Sequence, residues 1–82
     1  MEQLVYSSKS LGNAIKRQRK TKKLTQKNAG GAFKIDQSTL SDIEQGAEGT
    51  RLSTLFRILA ALDLEMIICS KDNTRHQDKE SW

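Results

Sequence analysis

Gln37, Ser38, Thr39 and Ser41 follow Asp36 as a run of short amide and hydroxyl side chains. At the start of a helix, such groups have the reach and the mix of donors and acceptors needed to read base edges in a major groove. Gln37 can make a paired contact to adenine, Ser38 can reach a base or a phosphate, and Ser41, one turn on, shares their outer face. Thr39 belongs to the same polar set. Asp42 is a poorer contact because phosphate repels it. It could accept from a cytosine amino group, but the sequence favours a rim or structural role. Upstream, Gln26 follows Thr25 at what reads as another helix start, where main-chain N–H groups and the amide can hold a phosphate. Lys27 and Lys34 are its expected phosphate neighbours.

These residues must be carried by two short helices joined by a tight turn. Thr25 is a good N-cap for a helix running to about Ala32. Asp36 is placed to cap the next one, which runs to about Gln45 with Leu40 and Ile43 as its inner stripe, and Gly46 supplies the stop. Before them, Val5-Tyr6 reads as a short extended arm and Ser7 or Ser8 as the cap of a first helix with an apolar stripe of Leu11, Ala14, Ile15 and Gln18. The basic run Lys16 to Lys23 ends that helix, with some cations expected near flanking phosphates and most in solvent. A fourth helix, capped near Ser53, turns Leu55, Ile58, Leu59 and Leu62 inward with Phe56 beside them. The segment Glu65, Met66, Ile67, Ile68 and Cys69 is short and partly β-branched, which favours a strand over an extension of the fourth helix. A lone strand cannot satisfy its ladder, and pairing with the same strand of a second copy is the natural solution. Domain boundaries follow: residues 1–70 as one DNA-binding and dimerisation domain, residues 71–82 as a flexible polar tail ending on Trp82.

The composition narrows the function classes. At 82 residues the chain is one small domain whose core is marginal for a monomer. Aromatic residues are 5% of the chain, too few for a stacking platform for single strands. One cysteine excludes an internal disulfide and points to a reducing compartment. No apolar run nears the roughly 18 residues of a membrane span, and no signal-peptide layout is present. The expected location is therefore cytoplasmic, in association with the nucleoid. Residues 1–34 carry nine Lys/Arg against one acid (+8), and residues 35–82 carry five against nine acids (−4), which sum to the net +4. That polarity suits one face toward phosphate and another toward a different partner. His76 stands alone, and Cys69 lacks a partner in sequence. No metal cluster, phosphate loop or nucleophile motif is visible, so neither an enzyme nor a cofactor is expected.

Leu24-Thr25-Gln26, through Ser41-x-Ile43-Glu44-x-Gly46, resembles the Cro/C1-type (XRE) helix-turn-helix family. The departures are Ala29 where Leu is usual, Gly30 where Ala is usual, and Lys34 where the turn Gly is usual. Positive φ at Lys34 would bring strain. A wider set of positions resembles HipB-type antitoxins: Val5-Tyr6-Ser7, Leu11-x-Asn13-Ala14-Ile15-Lys16, Thr50-x-Leu52-x-Thr54-Leu55-Phe56-x-Ile58-Leu59, Leu62-x-Leu64-x-Met66, Cys69 and Trp82. The resemblance implies a mainly α, lambda-repressor-like bundle of four or five helices, with one short C-terminal strand paired across a homodimer. It implies an autorepressor of a toxin–antitoxin operon that binds double-stranded operator DNA and a HipA-type serine/threonine kinase toxin. On that reading Trp82 anchors in a pocket on the kinase. The alternatives are a phage-type or other repressor without a toxin, and an interaction module that has lost DNA binding.

Overall fold

The computed structural model describes residues 2–71. The tail expectation for 72–82, with Trp82, lies outside them. Four helices follow in order: α1 (Ser8–Thr21), α2 (Gln26–Phe33), α3 (Gln37–Glu44) and α4 (Leu52–Ala61). Ser7 is the cap of α1, and with Ser10 it closes a reciprocal capping box. Thr25 caps α2 by accepting from the Asn28 N–H. Asp36 occupies the N-cap position of α3 without a side-chain hydrogen bond. The start of α4 differs from the sequence expectation: Arg51, not Ser53, is its N-cap residue and makes no side-chain cap.

One device ends all four helices. The residue after the stop has left-handed φ, its N–H bonds back three residues, and the next N–H bonds back five. Lys23 and Leu24 do this for α1, Lys34 and Ile35 for α2, Gly46 and Ala47 for α3, Asp63 and Leu64 for α4. Gly46, at φ +99°, is the expected stop and adopts that conformation without a Cβ penalty. Lys23, Lys34 and Asp63 hold φ near +60° with side chains that disfavour it.

The core is one cluster: Ile15 from α1, Ala29 and Phe33 from α2, Leu40 and Ile43 from α3, Leu55, Ile58 and Leu59 from α4, and Leu62 after it. Full burial of each large side chain contributes about 1.5–3 kcal/mol. Ala29 is fully covered, and Phe33 lies in the same cluster, supplying bulk from one turn on. Phe56 departs from the inward expectation; it is half exposed on α4. α1 packs on α3 at Gly12, which is buried against the main-chain carbonyls of Ile43 and Glu44.

α4 does not continue through the segment that follows. The left-handed Asp63 ends it, and Glu65 to Cys69 is neither helix nor paired strand within the chain. Its apolar side chains are bare: Met66 is 46%, Ile67 71% and Ile68 90% exposed. Lys22 Nζ bonds Asp63 Oδ2 at 2.8 Å, linking the end of α1 to the end of α4. That bond and the Lys22 charge hold the Asp63 carboxyl below the usual carboxylate range. This surface link is present above the ordinary carboxylate pKa and is lost as pH falls through the lowered one.

Candidate nucleic-acid interface

The third helix is fixed from behind by an ion pair that the charge pattern did not reveal. Arg19 Nε meets Glu44 Oε2 at 2.6 Å and Arg19 Nη2 meets Glu44 Oε1 at 3.0 Å, with both side chains buried. Arg19 Nη1 also donates to the Leu24 carbonyl at 2.6 Å, and Gln26 Nε2 donates to Glu44 Oε1 at 3.1 Å. The pair is bidentate, the strongest geometry available to a guanidinium and a carboxylate. It ties α1, the start of α2 and the end of α3 into one frame. Arg19 is thus removed from the expected solvated basic run, whereas Lys16, Arg17, Lys20 and Lys23 are exposed.

Leu40, Ile43 and Glu44 are the buried side of α3. Gln37 and Ser38 are exposed in its first turn, and Ser41 is half buried, accepting from Gln45 Nε2 at 3.1 Å. Thr39 is half buried and turned away from them. It lines an open groove between α3 and the following loop, shared with Lys34, Asp36, Asp42, Thr50 and Arg51. Gln37, Ser38 and Ser41 are therefore grouped on the outer face, with Thr39 at its edge.

Of the expected phosphate residues, Lys27 and Lys34 are exposed. Gln26 is half buried because one of its amide N–H groups is engaged by Glu44. Its second N–H stays available. Lys34 is left-handed at φ 61°, ψ 44°, and its carbonyl accepts from Arg57 Nη1 at 3.4 Å. The strain anticipated at this turn is present, about 1–2 kcal/mol relative to a relaxed backbone. Arg51 was not singled out by the sequence as a DNA contact, yet it is exposed and lines the groove with Lys34 and Thr50. The signal was weak, a lone cation in a Gly- and Thr-containing loop.

A polar-faced helix braced across a tight turn is the geometry of a helix-turn-helix, and a family model described as Helix-turn-helix (HTH_3) matches residues 15–67. The antitoxin HipB of Escherichia coli (strain K12) is 35% identical over 78 residues, covering 95% of this chain and 89% of that protein. The chain belongs to the HipB antitoxin family. Among solved structures of the family, a HipB–O2 20mer complex is similar at a TM-score of 0.78 and 35% identity, covering 87% of this chain and 99% of that one. A HipA–HipB–O2–O3 complex follows at 0.77 and 36%, covering 85% and 99%. No helix among the described residues is long and apolar enough to cross a membrane.

Proposed function

We propose that the chain is a homodimeric, sequence-specific DNA-binding antitoxin. It represses its own operon and binds a HipA-type serine/threonine kinase toxin. The observation that carries this reading is the exposed amide and hydroxyl face of α3, held rigid by the buried Arg19–Glu44 pair. Gln37, Ser38 and Ser41 read base edges, with Thr39 at the margin. Lys27, Lys34, the second Gln26 N–H and the first turn of α2 hold phosphates, and these contacts fix register without reading sequence. Relatives in this family have been solved with O2 and O3 elements and with HipA, which supports the same partners here.

The bare Glu65–Cys69 segment pairs with its copy across a two-fold axis, which covers Met66, Ile67 and Ile68 and satisfies the strand's main chain. Two α3 helices then enter successive major grooves, as a dimeric repressor requires. Residues 1–70 carry DNA binding and dimerisation; residues 71–82 carry toxin contact through Trp82, an aromatic of the kind that dominates interface energy. The protein works on DNA in the cytoplasm, at the nucleoid.

The base-reading assignment is tested by ranking operator variants against the full chain at two salt concentrations. Affinity is expected to fall steeply with salt. Gln37→Ala should reduce discrimination at one base step by roughly tenfold. Unchanged operator selectivity in that variant would remove Gln37 from the reading face. For the toxin contact, a chain ending at Ser81 should keep its DNA affinity and lose roughly thirtyfold or more in kinase affinity, by the usual weight of an interface tryptophan. Equal kinase binding by both forms rules out the Trp82 anchor.

A further inference from the structure

The outward side of α3 carries a carboxylate beside its hydroxyl and amide groups, at Asp42 next to Ser38 and toward the Thr39 groove. At about 100° per residue, Ser38, Asp42 and Gln45 fall within roughly 60° of one another, opposite Leu40, Ile43 and Glu44. The three outward residues are all exposed, and the three opposite them are all buried. Gln37 and Thr39 lie to either side of this axis. The Asp42 main chain is engaged, its carbonyl accepting from the Gln45 and Ala47 N–H groups. Its carboxylate has no hydrogen bond or ion pair to any described residue. Lys34 and Arg51 line the same groove without closing on it.

We infer that Asp42 is a specificity-determining residue that selects cytosine at one position of each operator half-site, chiefly by rejecting the other bases. The inference rests on the DNA-binding reading above. A carboxylate accepts hydrogen bonds and donates none. In the major groove guanine offers only the N7 and O6 acceptors, and thymine offers O4 beside a methyl. Either leaves a dehydrated negative charge against like partial charge. Adenine offers an amino group but sets N7 next to it, whereas cytosine presents its N4 amino group with no adjacent acceptor. A carboxylate on the outward side of the reading helix is relieved best by that one edge. Phosphate repulsion of this carboxylate lowers affinity for every duplex alike and leaves the choice of base to the groove edge.

The full chain and its Asp42→Ala and Asp42→Asn variants are each used to select binders from a pool of random duplexes, and the retained sequences are read. Both substitutions fall on an exposed helix position and leave the core intact. The native chain is expected to retain cytosine at one position per half-site, with roughly tenfold discrimination. Asp42→Ala should lose the preference there alone, while Asp42→Asn should move it to adenine, which an amide pairs through N6 and N7. If both variants keep the native base preference, or bind all duplexes more tightly without altering any one position, the Asp42 assignment is overturned and the repressor reading stands. If the native chain selects no sequence, both are overturned.

Discussion

Glu44→Ala is expected to lower the unfolding free energy by about 3–5 kcal/mol, most of what a domain of this size possesses. The carboxylate accepts two guanidinium bonds and the Gln26 amide, inside a site where Arg19 and Glu44 are 6% and 4% exposed. Alanine would leave the Arg19 guanidinium buried with only the Leu24 carbonyl for company. The cost is that of an uncompensated charge and exceeds the net worth of the pair. Paired replacement by apolar residues of similar volume, Arg19→Met with Glu44→Leu, should recover much of the loss. Urea unfolding followed by circular dichroism separates the cases. A single variant within about 1 kcal/mol of the native chain would mean that the pair is solvated and not buried.

Gly12→Ala should reverse the usual sign of a helical glycine replacement. Inside an ordinary helix the change stabilises by about 1 kcal/mol. Here the added methyl would overlap the Ile43 carbonyl oxygen and stand 2.8 Å from that of Glu44. Both are main-chain atoms of α3, so relief requires the recognition helix to shift as a body. Overpacking costs typically 1–3 kcal/mol. A net loss of about 2 kcal/mol is expected, together with weaker operator binding, because α3 is the element displaced. A thermal melt and a duplex titration on the same sample check both parts. A variant more stable than the native chain would exclude close α1–α3 contact at this point.

Much of this architecture is legible in the residues. Thr25, Ser7 and Gly46 announce helix ends through side-chain oxygens and a missing Cβ, both local and chemical in origin. The stripes Leu11–Ile15, Leu40–Ile43 and Leu55–Ile58–Leu59–Leu62 announce burial through spacing alone. The ion pair stayed hidden because charge was read as exposure. Yet Arg19 continues the Leu11–Ile15 spacing by one more turn, and Glu44 follows Leu40 by four. Opposite charges on two inward faces are a readable sign of a buried bridge. Arg51 as the start of α4 was missed for the opposite reason: no side chain caps that end, so packing sets it without a local signal. The strand expected over Glu65 to Cys69 depends on a second copy, and one chain displays only its bare side chains.

Three of the four helix stops hold Lys23, Lys34 and Asp63 in a backbone region where glycine is at ease. After allowing for the greater freedom that glycine loses on folding, each stop leaves about 0.5–1 kcal/mol unclaimed. Each thereby enlarges the transiently open population by roughly two- to fivefold. Where opening precedes proteolytic cleavage, turnover in the cell follows that population. The lifetime of the protein is thus set in part by three φ angles at the ends of its helices.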